Sequence, residues 1–172
     1  TVVVMRGRIS GVLPLASDSA AVAGEVLIDG EGGTLVPGLF DMHSHSSLTT
    51  GTFYLAAGVT GARDQGNNND FLLDLLPRIE HGEIMGPRIV PGGFIEGRSP
   101  FSARLGVIPE QLNEGLRAVD WYADRGYRHI KIYNSMSPEW VKPLAERAHA
   151  RGMKVSGHIP AFMSPDRAIV DG

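Results

Sequence analysis

From Leu35 onward, short β-type runs alternate with longer stretches of helical spacing, and no other feature narrows the possible folds as much. Strands are expected near Leu39 to His43, Val59 to Arg63, Arg88 to Pro91, His129 to Tyr133 and Lys154 to His158. Helical spacing fills Leu48 to Ala57, Asp70 to His81, Pro109 to Arg125 and Pro138 to Arg151, and a last helical stretch covers Pro165 to Asp171. In the third of these, Leu112, Leu116, Val119 and Tyr122 recur at the spacing of one buried face. Pro109 and Pro138 suit first-turn positions, the second after the N-cap candidate Ser137, and Gly58, Gly126 and Gly152 suit helix ends. Strands alternating with helices imply parallel strands joined by right-handed crossovers.

Ahead of this pattern, Val2 to Met5 and Ile9 to Leu13 read as strands around Arg6-Gly7-Arg8. Glu25 to Ile28 reads as a further strand entering the turn-rich Asp29 to Gly33, and Ala16 to Gly24 reads as a loop. So few short strands cannot bury both faces alone. The expected division is a β segment over residues 1–35 and an α/β segment over 36–172.

The chain has 172 residues, enough for a core but short of the about 250 that a complete eight-unit β/α barrel needs. A net charge of −3 with no basic stripe gives no support for a nucleic-acid partner, and no apolar run reaches membrane-spanning length. No cysteine is present, so a transition metal would have to sit on histidine, carboxylate or modified lysine. Without an initiator Met or a signal-type start, the sequence assigns no compartment.

Ligands of parallel α/β sheets bind at the C-terminal ends of the strands. His43 and His45 in LVPGLFDMHSHSS, Lys131 in HIKIYNS and His158 in KVSGHIP all fall there. Residues two apart on a strand share a face, so His43 and His45 can close on one ion, or serve as structural histidines. Lys131 reads either as part of that site or as a solvent-facing lysine, and His158 as a ligand or a hydrogen-bonded core residue. Tyr133 could polarise a substrate carbonyl or simply pack. Asp41 shares the histidine face as a supporting residue, His129 reads as structural, and His81 and His149 as surface residues. Arg63 and Arg98 read as solvated, with substrate carboxylate binding as the alternative.

The string from Leu35 to His45 resembles the first barrel strand of the amidohydrolase superfamily, in which PGxxDxHxH carries two metal-binding histidines. GVTGARD at Gly58 to Asp64 is similar to the second strand, HIKIY to the fourth and SGHIP to the fifth, in the right order. Together they resemble the branch of imidazolonepropionase-like and prolidase-like enzymes. The resemblance implies an incomplete TIM-type (β/α)8 barrel of about five βα units, preceded by part of a small β-sandwich. It implies that His43 and His45 bind a first metal, that His158 binds a second, and that Lys131 is carboxylated and bridges both ions; the cofactor expected is one or two divalent ions, zinc above all. The implied reaction is hydrolysis of a C–N bond in an amide, dipeptide or cyclic amide by metal-activated water. It also implies a sixth-strand histidine and an eighth-strand aspartate beyond Gly172, and thus a piece of a larger hydrolase that is nearly inactive alone and self-associates through its open edge. Two rival readings are a catalytically incomplete metal-binding fragment that pairs with another chain, and a structural α/β module without metal. If this piece is active alone, Asp64 is the first candidate for the base.

Overall fold

The computed structural model describes residues 1–14 and 26–172, and the loop expected over Ala16 to Gly24 lies outside the described residues. The chain divides into two units, Thr1–Pro37 and Gly38–Gly172. In the first, β1 (Val2–Met5) and β2 (Arg8–Val12) pair antiparallel around a turn in which Arg6 and Gly7 both take positive φ. The strand expected over Glu25 to Ile28 does not form across Val26 to Ile28, and Glu25 lies outside the described residues. Val26 and Ile28 are more than four-fifths exposed, so no packed face rewards an extended pairing there.

The second unit is a five-stranded parallel sheet, the curled half of a barrel, in the order β3 (Leu39–Ser44), β4 (Val59–Asp64), β5 (Arg88–Ile95), β6 (His129–Ile132) and β7 (Lys154–Gly157). Spatial order follows chain order, and the first four strands are followed in turn by α1 (Thr50–Ala56), α2 (Asn69–Glu80), α3 (Leu112–Asp124) and α4 (Pro138–Ala150). A final helix, α5 (Pro165–Asp171), follows β7. Among the described residues no helix is long and apolar enough to cross a membrane.

Local signals explain most boundaries. Gly58, Gly126 and Gly152 take φ of 78°, 80° and 71°, the left-handed conformation in which a helix stops cheaply only at glycine. Pro138 occupies the first turn of α4, where its missing N–H costs nothing. Ser137 stands at the N-cap, but its hydroxyl goes to Glu139 Oε2 at 2.7 Å instead of to the helix backbone. Pro109 is not in α3, which begins at Leu112. The Glu114 carboxylate reaches back to the Glu110 N–H at 2.7 Å and Gln111 is extended, so the chain turns into the helix after both.

The strand over Arg88 to Pro91 runs on to Ile95, through Pro91-Gly92-Gly93. These residues weaken a strand intrinsically, and packing overrides them. A Cβ on Gly93 would stand 2.5 Å from the Tyr122 ring, so glycine lets α3 sit directly on β5.

Val119 and Tyr122 of α3, Ile95 of β5, Ile130 of β6 and Leu144 of α4 are wholly buried in one cluster with Leu72 of α2. The inward face read from Leu112, Leu116, Val119 and Tyr122 does pack here, with the two leucines part-buried at its margin. By contrast Leu39, Phe40 and Met42 on the edge strand β3 are each more than half exposed.

Two buried tyrosines make contrasting use of their hydroxyls. Tyr122 donates its one hydroxyl proton to the Phe94 carbonyl at 2.9 Å, with Asn69 Oδ1 sharing it at 3.2 Å, whereas the buried Tyr127 hydroxyl has no partner among the described residues. Tyr122→Phe is therefore expected to cost about 1–2 kcal/mol in urea unfolding, while Tyr127→Phe is expected to be neutral or stabilising by about 1 kcal/mol. Equal losses in both would contradict this packing.

His129, at the start of β6, is buried and holds a pKa near 4, lowered from 6.5 by burial first and then by Arg63 and Lys131, against the pull of Asp64. The unfolded chain takes up this proton at higher pH than the fold does. The contribution is thus complete above about pH 6.5 and is lost as pH falls toward 4, about 3 kcal/mol in all. In His129→Gln, the stability lost between pH 6.5 and 4 is expected to be correspondingly smaller, as read from unfolding midpoints across that range.

Candidate metal centre

Because all five strands are parallel, their C-terminal ends share one edge. β3 brings His43 and, one residue past its end, His45. β4 ends on Asp64, Glu96 follows β5, Lys131 lies in β6 with Tyr133 just beyond it, and His158 follows β7. Register aligns the neighbours: Ser44 with Asp64, Phe94 with Lys131, and Lys131 with Ser156.

Lys131 is the centre of this group. Its side chain is buried, 2% exposed, and its Nζ lies 3.2 Å from His43 Nε2 and 5.3 Å from the centre of the Tyr133 ring. The His43 and His45 ring centres are 5.5 Å apart, and the Tyr133 ring stacks at a tilt on His158 at 4.3 Å and on Phe94 at 4.9 Å. All three histidines remain solvent-accessible while Lys131 does not.

Hydrogen bonds fix which ring nitrogen is free. His45 Nδ1 meets the Gly66 carbonyl at 2.7 Å and His158 Nδ1 meets Asn134 Oδ1 at 2.7 Å. Both partners accept, so each Nδ1 carries the proton and each Nε2 keeps its lone pair. His43 turns its Nε2 to Lys131, and its backbone N–H donates to Asp41 Oδ1 at 2.9 Å. Tyr54 donates to the other Asp41 oxygen at 2.8 Å, so Asp41 supports His43 from behind.

The charges in this group repel one another. Burial, then Arg63, holds the Lys131 amine below its ordinary pKa. Desolvation and the Lys131 charge lower His43, which His45 and His158 lower further, and desolvation with Lys131 lowers His158, against the opposing pull of Glu96. Among the described residues no three His, Asp or Glu side chains form a ready metal-binding cluster; His43 meets the lysine instead. The Nε2 lone pairs of His45 and His158, with His43 beside the Lys131 amine, suit a divalent ion once an acidic ligand joins them, because imidazole is a good zinc ligand and an ammonium is none.

Two carboxylates at this edge have other work. Asp64 is fully buried and accepts from Ser46 N at 2.8 Å, Gly66 N at 2.9 Å and Asn67 Nδ2 at 3.0 Å, so the fold leaves no open oxygen for a catalytic base. Glu96, also fully buried, accepts from Ser135 N at 2.8 Å, Gly97 N at 3.0 Å and Ala103 N at 3.2 Å, tying the loop after β5 to the loop after β6. Arg63 donates to the Met42 carbonyl at 2.9 Å, and Arg98 pairs with Glu110 at 2.7 Å. His81 and His149 are exposed on helix ends, away from this edge. Glu96 and Asn134 had no place in the site read from sequence, and Asp64 entered it only as a candidate base. The only advance signal was an acidic or amide residue directly after a β run.

No family model and no curated protein matches the chain. Solved structures do. A proposed prolidase from Bifidobacterium longum superposes with a TM-score of 0.62 at 25% identity, over 79% of this chain and 38% of its own. A bottromycin amidohydrolase gives 0.69 at 23% identity over 78% and 31%, and a Xaa-Pro dipeptidase with methionine bound in its active site gives 0.62 at 21% over 79% and 46%. The chain has an amidohydrolase-like fold. It spans between about a third and a half of the length of these hydrolases.

Glu96→Ala would leave three backbone N–H groups without their acceptor. A loss of at least about 3 kcal/mol is expected in chemical denaturation. Glu96→Gln, which keeps one carbonyl oxygen, is expected to lose less than half of that, and a neutral Glu96→Ala would show that the two loops are held by other contacts.

Proposed function

We propose that this amidohydrolase-like unit serves a metal-dependent hydrolase that cleaves C–N bonds in amides, dipeptides or cyclic amides. The observation that carries the reading is the His43 Nε2 at 3.2 Å from the buried amine of Lys131, with His45 and His158 on the same sheet edge, each holding its Nδ1 to a loop acceptor. The fold shared with a dipeptidase and an amidohydrolase supports the substrate class.

His43, His45 and His158 would hold one or two divalent ions, zinc by the chemistry of the donors. When bound, such an ion supplies Lewis acidity and water that is acidic near neutral pH. Lys131 completes the donor set as a carbamate. The amine lone pair attacks the carbon of CO2, an N–C bond forms, one C–O π pair moves to oxygen, and the nitrogen loses a proton to water. The product is an anion with two oxygens where an ammonium would repel a cation. A lowered amine pKa favours this step because only the neutral amine has the lone pair. Tyr133, at the mouth beside His158, would orient the substrate carbonyl through its hydroxyl.

Metal analysis after dialysis against zinc is expected to show bound metal in the native chain and a loss of at least about tenfold in affinity for His43→Ala/His45→Ala. Equal metal in both would refute the ligand assignment. In protein containing the whole catalytic unit, Lys131→Ala is expected to abolish amide hydrolysis, with partial rescue by short carboxylic acids that replace the carbamate. Turnover unchanged by Lys131→Ala would refute the lysine's role.

A further inference from the structure

We infer that Asp64 is a positioning residue that sets the tautomer and direction of His45. The inference rests on the proposed metal-binding role of His45 for its functional meaning, but not for its geometry. Asp64 grips the chain on both sides of the imidazole. Its Oδ2 accepts the N–H of Ser46, the residue next to His45, at 2.8 Å, and its Oδ1 accepts the N–H of Gly66 at 2.9 Å. The carbonyl of that same Gly66 receives the His45 Nδ1 proton at 2.7 Å. One carboxylate therefore fixes the backbone that carries the histidine and the backbone that carries its acceptor.

The surroundings leave this arrangement little slack. Asp64 is wholly buried, and Asn67 clamps it further, donating through Nδ2 to Asp64 Oδ2 at 3.0 Å and to the Ser46 carbonyl at 2.8 Å. Gly66 has φ of 145°, and a Cβ there would lie 2.6 Å from the Phe94 ring, so glycine lets the loop sit closely against β5. Ser44 and Asp64 are register partners, which places the carboxylate level with the end of β3 just before His45. An imidazole without a fixed acceptor exchanges between tautomers, and only one of them points a lone pair from Nε2.

His158 provides an internal reference, because a different loop and a different acceptor, Asn134, hold it. The test is long-range nitrogen–proton NMR of the imidazoles in metal-free chain, so that failure here is distinct from failure to bind metal. The native chain is expected to show His45 and His158 each as a single Nδ1–H tautomer. In Asp64→Asn, one acceptor oxygen becomes a donor facing donors, and His45 is expected to become a mixture of tautomers while His158 is unchanged. Asn67→Ala, at a part-exposed position, is expected to shift His45 in the same direction by a smaller amount, and decides the matter alone if Asp64→Asn does not fold. A His45 that keeps one Nδ1–H tautomer in the folded variants would overturn the inference. So would equal changes at His45 and His158, which would indicate general loosening instead of positioning.

Discussion

Parallel pairing from β3 to β7 turns every strand's C-terminal end to one edge, and the buried position of Lys131 on β6 organises what collects there. β6 lies between β5 and β7, so its side chains are shielded by neighbours on both sides, and all four of its residues are buried. A lysine in such a strand loses its hydration, and among the described residues it gains only the His43 imidazole as a hydrogen-bond partner. Such burial is costly unless the charge is removed or paired, and the sheet tolerates it only at the edge where solvent-accessible side chains complete the site.

The buried acids resolve an apparent imbalance. Positive groups crowd the centre, yet neither fully buried carboxylate approaches Lys131 as an ion-pair partner. Asp64 and Glu96 are instead consumed by six donated N–H groups from four loops. Those bonds convert irregular chain after β3, β4, β5 and β6 into a rigid rim, in the way that buried polar networks specify a single arrangement when every member is satisfied. The lone pairs on His45 and His158 depend on that rim, because their Nδ1 protons are received by loop groups and not by strand residues.

Much of this was legible in the sequence. The alternation of strands and helices, the glycine stops and the shared edge of His43, His45, Lys131 and His158 follow from local chemistry and chain direction. What was not legible depended on contacts between distant segments. The partners of Asp64 and Glu96 are mostly backbone amides, which leave no trace in residue identity. The extension of β5 through Pro91-Gly92-Gly93 requires the Tyr122 ring from α3, and the late start of α3 requires the Glu114 side chain to reach Glu110. Conversely Val26 to Ile28 carries β-favouring residues and forms no strand, since propensity without a packed face does not fix one.

The central claim is that Lys131 becomes an anionic ligand among three histidines. Carbon-13 NMR of the chain in labelled bicarbonate, with and without zinc, tests it most directly. The account predicts one carbamate resonance that appears with zinc, disappears on chelation and is absent in Lys131→Arg. No carbamate signal at saturating zinc, or a signal that persists in Lys131→Arg, would contradict it.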